Sequence, residues 1–218
     1  MKNKKGIFLI CTGLLLIGAA LFLTINNLME EHVASKEASE AFAQLKSLLP
    51  EKSLIGMETS HTEADVRTEQ VIPDYILNPD MDMPTQTIDR KDYIGILEIP
   101  ALELELPVLS EWSYSKLKIA PCCYAVSAYT DDFVIAAHNY PSHFATLNKL
   151  KEDNQIIFTD MDGNVFTYCV VLKEILDETA IEEVTNGDFD LTLFTCTYDG
   201  KNRVTIRCDK AEWLYKQE

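Results

Sequence analysis

Two alternating segments near the C-terminus constrain the fold most strongly. Residues 190–197 alternate threonine with bulky apolar residues, and residues 203–209 alternate polar and apolar residues in the same way. Such alternation is typical of strands with one buried face. Asp199-Gly200 lies between the two segments and is a strong two-residue hairpin signal. Counting outward from that turn predicts three cross-strand pairs: Tyr198 with Lys201, Thr197 with Asn202, and Cys196 with Arg203.

The predicted pairing places a thiol beside a permanently charged guanidinium. Directly opposed residues on antiparallel strands point to the same face, with Cβ atoms about 4.5–5.5 Å apart. A cationic neighbour favours the thiolate, which is the nucleophilic form of cysteine. A free cysteine in a strand is more often a small buried hydrophobe, but the arginine opposite Cys196 favours a nucleophile. Arg207 would oppose Thr192, about 13 Å further along the strand, so we expect it at the surface or in a substrate groove.

The sequence also offers a histidine that could act with the cysteine. Four histidines are present: His32, His61, His138 and His143. The first two fall in polar or irregular segments outside the predicted core. His138 ends the apolar segment 133–137, at a strand-to-loop junction where functional residues commonly lie. His143 follows Ser142 at the start of a predicted helix that buries Phe144, Leu147 and Leu150, so we interpret it as decorating that helix start.

With these residues, the chain resembles the sortases, which are membrane-anchored cysteine transpeptidases of Gram-positive bacteria. The family signature is a Thr-Leu-x-Thr-Cys strand, an arginine at the start of the next strand, and a distant histidine followed by a Phe-x-x-Leu helix. The matching residues here are Thr192-Leu193-Phe194-Thr195-Cys196, Arg203, His138 and Phe144-Ala145-Thr146-Leu147. The segment 93–100 is similar to the first barrel strand of that family. The resemblance covers about residues 90–210 in the right order.

The resemblance implies a mainly β fold, namely an eight-stranded sortase-type barrel with short helices, and cleavage of an LPxTG-like sorting signal. The Cys196 thiolate would attack the Thr–Gly carbonyl, and His138 would protonate the departing glycine amine. An amine from a cell-wall precursor or a pilin lysine would then resolve the acyl-enzyme. Arg203 and the backbone N–H after Cys196 would stabilise the oxyanion. Thr195 and Thr197 flank the cysteine and are expected to bind substrate, with Thr195 also holding Arg203.

Two other functions fit the same residues. In a thiol hydrolase, water rather than an amine would resolve the acyl-enzyme. In a non-catalytic surface β-domain, the groove would only bind a peptide or the cell wall. The short segment between residues 175 and 190 departs from class B sortases, which have a longer helical insertion there, so the subclass stays open.

The N-terminal segment predicts a membrane anchor. Residues 7–25 form an uncharged apolar run just long enough to span a bilayer. Lysines precede this run, and Glu30 and Glu31 follow it, so the N-terminus is predicted to be cytoplasmic and the remainder extracellular. A cleaved signal peptide is the alternative, but the run is longer than a typical signal core. We therefore predict a single-pass protein of the cell membrane, with residues 1–26 forming the cytoplasmic tip and the signal-anchor.

The remaining chain is predicted to form three parts. Residues 27–49 read as a helical stalk, whose apolar stripe could also be a dimer seam: Ala38, Ala41, Phe42, Leu45, Leu48 and Leu49. Residues 50–88 read as a linker, or as a lid if residues 76–83 fold over the active site. Residues 89–218 form the catalytic barrel. Its strands are predicted near 93–100, 104–109, 123–127, 133–138, 155–159, 164–175, 190–197 and 203–209.

Charge and cysteine content exclude several classes of partner and cofactor. The formal net charge of −16 argues against nucleic acid as a partner. An odd number of cysteines follows the anchor, which leaves at least one thiol free. The other cysteines are interpreted as reduced, with Cys208 in the core. The motif Asp160-Met161-Asp162-Gly163 reads as a hairpin turn that lacks the ligand series of an EF-hand. No metal or cofactor is therefore predicted.

Overall fold

A long N-terminal helix carries one exposed half and one half that packs on the barrel. The computed structural model describes residues 3–50 and 72–211, and helix α1 spans Asn3–Leu48. The side chains of the apolar run are exposed. Further along the helix, one face is buried: Ala34, Ala38, Ala41 and Leu45. Much of the predicted apolar stripe therefore packs on the barrel, while Leu48 is exposed.

The rest of the described chain is mainly β. The strands are β1 (Gln86–Ile88), β2 (Lys91–Ile99), β3 (Leu104–Leu109), β4 (Cys122–Ala125), β5 (Phe133–Ala136), β6 (Gln155–Asp160), β7 (Val165–Asp177), β8 (Leu191–Cys196) and β9 (Asn202–Lys210). The short helices are α2 (Asp74–Leu77), α3 (Tyr114–Leu117) and α4 (Ile181–Val184). Single 3₁₀ turns occupy Pro100–Leu102 and Leu147–Lys149.

The strands close into a barrel. Their order is β1-β2-β3-β4-β5-β8-β9-β7-β6, and β6 pairs back with β2. Strands β2 to β9 thus form an eight-stranded barrel, as predicted, while β1 adds a short hairpin to the start of β2. Two pairs are parallel, β3 with β4 and β5 with β8. In the β5–β8 pair, the carboxyl ends of two strands far apart in sequence meet at one edge of the barrel.

Burial follows the alternation expected for a small barrel. On β8, Leu191, Leu193 and Thr195 are buried toward the interior. Phe194 and Cys196 lie on the outer face of the barrel and are partly exposed, whereas Thr192 on the same face is buried. An outward cysteine on a rigid strand is available to a ligand, whereas an inward one would be sealed in the core.

The helix predicted after Ser142 is wrong. Residues 141–146 form turns, and a 3₁₀ turn follows at Leu147–Lys149. The predicted apolar positions are nevertheless fully buried: Phe144, Leu147 and Leu150. Their spacing of three residues suits a 3₁₀ conformation, in which side chains at i and i+3 lie above one another.

The segment considered as a lid lies on another part of the barrel. Tyr75 in α2 stacks on Tyr129 with ring centroids 4.6 Å apart. Met81 and Met83 pack against the main core. In the described part of residues 50–88, no side chain lines the groove beside Cys196. The lid alternative therefore has no contact with that groove here.

Candidate active site

The hairpin formed by β8 and β9 has the predicted register. Cys196 lies opposite Arg203, and Thr192 lies opposite Arg207. The turn itself differs from the prediction, because the Gly200 N–H donates to the Thr197 carbonyl at 2.9 Å. Its central residues are Tyr198 and Asp199, and Gly200 follows with φ +75°, a value that favours glycine. Tyr198 and Lys201 therefore form no ladder pair, although the register beyond them is unchanged.

Cys196 opens into a groove on the outer face of the barrel. The groove has a volume of about 280 Å³. Aromatic side chains line it on the β4 side, where the rings of Trp112 and Tyr124 lie 5.0 Å apart and those of Tyr124 and Phe194 also lie 5.0 Å apart. The β7–β8 connection lines it elsewhere, from Asp177 to Val184. The surface is mostly apolar, with carboxylates at one margin, which suits an extended peptide with apolar side chains.

The parallel β5–β8 pair places His138 and Cys196 at corresponding positions just beyond or at the ends of neighbouring strands. Ala136 is in register with Phe194, and the Ala137 N–H donates to the Phe194 carbonyl at 3.2 Å. His138 follows Ala136 by two residues, as Cys196 follows Phe194. Thus the two candidate residues leave the sheet at the same edge, on neighbouring strands.

The Thr195 hydroxyl bonds across the β5–β8 edge and does not support Arg203. It donates to the Ala137 carbonyl at 2.8 Å, directly before His138. The predicted support of Arg203 by Thr195 is therefore wrong, because Thr195 points inward while Arg203 points outward. The Thr197 hydroxyl is engaged in the turn, where it donates to Asp199 Oδ1 at 2.6 Å.

Arg203 lines the groove, and part of its guanidinium already donates to backbone carbonyls. Its Nη1 donates to the carbonyls of Gly200 at 3.2 Å and Asn202 at 3.1 Å. The Thr197 N–H, expected to serve as a second oxyanion donor, donates to the Asn202 carbonyl at 2.9 Å. That expectation is wrong for this conformation, because the donor is already used by the hairpin. Of the two donors predicted for that role, Arg203 remains the candidate.

Arg207 is buried, and its prediction as a surface or groove residue is wrong. Only 2% of it is exposed. Its guanidinium donates to Glu174 Oε1 at 2.8 Å, to the Val184 carbonyl at 3.1 Å and to Thr192 Oγ1 at 3.0 Å, and also bonds the Glu183 carbonyl. Arg207 thereby holds α4, which is part of the groove wall, against β8 and β9.

The surroundings of His138 favour its neutral form. Its ring stacks on Tyr140 at 4.3 Å with an interplanar angle of 1°. Burial lowers the pKa of His138, the charge of Lys118 lowers it further, and Glu30 opposes both effects. Lys118 Nζ lies 3.3 Å from Glu30 Oε2. Helix α1 therefore reaches the neighbourhood of the candidate histidine, which the sequence alone did not indicate.

His143 has a different environment from the one predicted. It is fully buried, with its ring 5.5 Å from that of Tyr140. Burial lowers the pKa of His143 to about 4, and the charge of His138 is the second cause. A buried neutral imidazole behind Tyr140 cannot reach the groove, so His138 remains the candidate.

The cysteines and acidic residues add no metal site or disulfide. All six cysteines are free. Within residues 3–50 and 72–211, no group of three or more His, Cys, Asp or Glu residues could hold a metal ion. In the Asp160–Gly163 turn, the Asp160 carboxylate accepts from the Tyr129 hydroxyl at 2.7 Å and from the Asn164 N–H at 2.8 Å. That carboxylate is a structural acceptor of the hairpin.

Comparison with known proteins supports the resemblance. A protein-family model described as Sortase domain matches residues 97–211, more than half of the chain. The chain belongs to the sortase family. Members of this family are cysteine transpeptidases. A comparison with curated proteins found no match.

Solved sortases share the barrel fold. Sortase C of Clostridium perfringens, solved with the C-terminal cell wall sorting motif, has 20% identity and a TM-score of 0.52, covering 64% of this chain and 88% of that one. Sortase A of Corynebacterium diphtheriae has 20% identity and a TM-score of 0.51, covering 59% of this chain and 64% of that one. These likenesses concern the fold.

Several residues of this sortase site were missed by the sequence analysis. Phe194 carried a signal, since it lies two residues before Cys196 and therefore on the same face of β8. No sequence signal identified Trp112 and Tyr124, because the fold brings them to the groove from another part of the barrel. Glu30 and Lys118 were also missed, since their contact joins α1 to the segment before β4.

Proposed function

We propose that this sortase is a membrane-anchored transpeptidase that cleaves an LPxTG-like sorting signal between Thr and Gly and transfers the acyl group to an amine. The observation that carries the proposal is Cys196 opposite Arg203 in an open apolar groove, with His138 at the end of the neighbouring strand. The substrates would be surface proteins with a C-terminal sorting signal. The amine would come from a cell-wall precursor or a pilin lysine.

The reaction divides into two acyl transfers. Neutral His138 takes the proton of Cys196 as the sulfur attacks the threonine carbonyl carbon. The carbonyl oxygen becomes an oxyanion, which Arg203 stabilises. When the Thr–Gly bond breaks, its electron pair goes to the glycine nitrogen, and that nitrogen takes the proton from His138. A thioester between threonine and Cys196 remains.

The second half restores the enzyme. His138 removes a proton from the incoming amine as its nitrogen attacks the thioester carbonyl. The tetrahedral intermediate collapses, the carbon–sulfur bond breaks, and Cys196 regains its proton from His138. Water in place of the amine would yield a hydrolysed product. The apolar aromatic lining around Trp112, Tyr124 and Phe194 limits water near the thioester and so favours the amine.

The N-terminal helix supports a membrane location. Within the described residues, one helix is long and apolar enough to cross a membrane. The lysines before the apolar run and the glutamates after it favour a cytoplasmic N-terminus and an extracellular barrel. The solved Clostridium perfringens sortase C with its sorting motif supports a peptide of that kind as substrate.

A peptide assay tests the proposal. The protein is incubated with sorting-signal peptides and an amine, and mass spectrometry identifies the product joined at threonine and the trapped acyl-enzyme. Cys196→Ala should abolish both signals. Cys169→Ala is the matched control, because Cys169 is also partly exposed but lies on β7, outside the groove, and it should retain activity. Full activity of Cys196→Ala would refute the assignment, and a product ratio unaffected by amine would indicate a hydrolase.

A further inference from the structure

Helix α1 connects the apolar run to the barrel without a break. The segment from residue 19 to residue 49 contains no glycine or proline, the residues that commonly kink helices. The side chains of residues 14–25 are exposed, and the first buried residue of α1 among those described is Ala34. The membrane segment and the barrel are therefore joined by one continuous helix rather than by a flexible linker.

The length of helix between the apolar run and the barrel fixes how far the barrel lies from the lipid. A hydrocarbon core of about 30 Å takes about 20 helical residues, close to what residues 7–25 supply. With a rise of about 1.5 Å per residue, Glu30 lies about 7.5 Å beyond Ile25 along the axis. The polar headgroup layer adds about 5–7 Å on each side of the core. Glu30 is therefore at the outer edge of the headgroups.

The barrel edge at that height is the one that carries His138. Glu30 contacts Lys118 at 3.3 Å, and its charge acts on both His138 and Tyr140. By contrast, Lys46 contacts Glu105 about 24 Å further along the helix. The segment leading to Lys118 exposes 41% of Trp112 and 82% of Tyr114, and both residue types are enriched at membrane interfaces.

We infer that α1 holds the barrel at a fixed height above the bilayer, with the edge formed by Lys118, Tyr140 and His138 facing the lipid headgroups. The inference rests on the membrane anchor of the proposed function. It follows that the groove beside Cys196 receives peptide segments presented at the membrane surface. A sorting signal close to its own membrane span fits this arrangement, whereas one held far above the lipid does not.

Energy transfer from Trp112 to labelled lipid headgroups measures the height. Trp213→Phe leaves Trp112 as the only tryptophan of the full chain, which is reconstituted in phosphatidylcholine vesicles with headgroup-dansylated lipid. A second variant carries an inserted Gly-Ser segment of about 12 residues between Leu28 and Met29, which adds about 20 Å of reach. The matched control carries the same segment between Met1 and Lys2. We expect strong transfer in the unmodified chain and the control, and a several-fold loss with the inner insertion.

The outcomes distinguish the fixed height of the barrel from the membrane anchor itself. Weak transfer in an unmodified chain that floats with the vesicles would overturn the fixed height and leave the anchor intact. Equal transfer in both insertion variants would also overturn it. A chain that does not float with the vesicles would overturn the anchor and the inference together.

Activity gives a second readout. Two bilayer-anchored peptides carry the same sorting signal, either next to their membrane span or separated from it by a long flexible spacer. The unmodified chain should cleave the first several-fold faster, and the Leu28–Met29 insertion should remove this preference. Equal rates in the unmodified chain would contradict the inference, whereas failure to cleave even soluble peptide would count against the proposed function.

Discussion

Arg203 and Arg207 lie four residues apart on one face of β9 but have different surroundings. Arg203 is partly exposed at the groove, and both of its backbone contacts use Nη1. Arg207 is buried, and its guanidinium bonds side chains and carbonyls of β7, β8 and α4. Because all of these partners are structural, Arg207 is expected to act on stability and Arg203 on the reaction.

Replacing each arginine with lysine separates these roles. Arg203→Lys keeps a charge but loses the planar donor pattern, so kcat should fall about 10²–10³-fold, the usual effect of losing one oxyanion donor. Its thermal unfolding temperature should change little. Arg207→Lys should instead lower the unfolding temperature strongly, because buried acceptors lose their partners. Peptide-transfer assays and thermal melts measure both, and normal turnover of Arg203→Lys would contradict the assigned role.

The charges around His138 predict how its titration responds to substitution. Burial is the main cause of its lowered pKa, Lys118 adds to it, and Glu30 opposes it. Glu30→Gln should therefore lower the pKa of His138 further, and Lys118→Gln should raise it. NMR titration of the His138 imidazole, resolved from that of buried His143, measures the shift.

A matched glutamate on the same helix serves as the control. Glu37 pairs with Lys91 at 3.4 Å, two helical turns beyond Glu30. Glu37→Gln should leave the titration of His138 unchanged. Equal shifts in the two glutamate variants would show that the effect is not local. The other titratable groups at this edge, Tyr140, His143 and Glu31, are present in both variants.

At the scale of elements, the barrel closes where β2 meets β6. Gly95 lies opposite Asp160 in this pair. A Cβ atom at position 95 would lie 2.1 Å from the Thr159 carbonyl oxygen and 3.0 Å from the Asp160 Cα. These are backbone atoms of the neighbouring strand, so a side chain could fit only if the strands moved apart.

Gly95→Ala should therefore destabilise the protein by more than about 3 kcal/mol, above the usual range for overpacking. Gly200→Ala is the comparison, because its Cβ would enter open space although φ is +75°. That substitution should cost about 1–2 kcal/mol of backbone strain. Urea unfolding of the two variants gives the difference, and a smaller loss for Gly95→Ala than for Gly200→Ala would contradict the role given to the β2–β6 contact.

Local signals explain which elements could be predicted from the sequence. The strands around Cys196 and Arg203 were predicted because alternation and a turn signal lie within about 20 residues of chain. The helix after Ser142 was wrong because an apolar spacing of three residues fits a 3₁₀ turn as well. The apolar stripe of α1 was visible, but its partner was not, since that partner is a distant barrel surface.

The same distinction applies to the site. Counting outward from a turn was enough to pair Cys196 with Arg203. Neither counting nor periodicity places His138, because its position depends on β5–β8 pairing across 58 residues, as the Thr195–Ala137 bond shows. Here the family resemblance supplied what local patterns could not. The contribution of Glu30 required the docking of α1, which neither source indicated.

For the whole molecule, buried His143 predicts a loss of stability in acid. Its folded-state pKa is lowered to about 4, below the ordinary value of about 6.5. The unfolded chain therefore binds the proton more readily, so stability is fully present above pH 6.5 and is lost as the pH falls from about 6.5 towards 4. The loss amounts to about 3 kcal/mol.

Urea unfolding of the full chain in detergent measures this effect at about pH 7.5 and about pH 5, which lie on either side of the ordinary histidine pKa of about 6.5. His143→Leu should reduce the difference in stability between the two conditions. His32→Gln is the control, because His32 is exposed on α1, and it should leave the difference unchanged. An undiminished pH dependence in His143→Leu would show that other groups cause the acid sensitivity.

The parallel pairing of β5 with β8 has a consequence for how such an enzyme can diverge. More than fifty residues separate the two strands in sequence, yet their backbone ladder brings the chain positions of His138 and Cys196 to the same edge of the barrel. Loops between them can therefore lengthen, shorten or change composition during evolution without disturbing the relative position of these two candidate residues. New peptide preferences can arise in those loops while the chemistry is inherited intact.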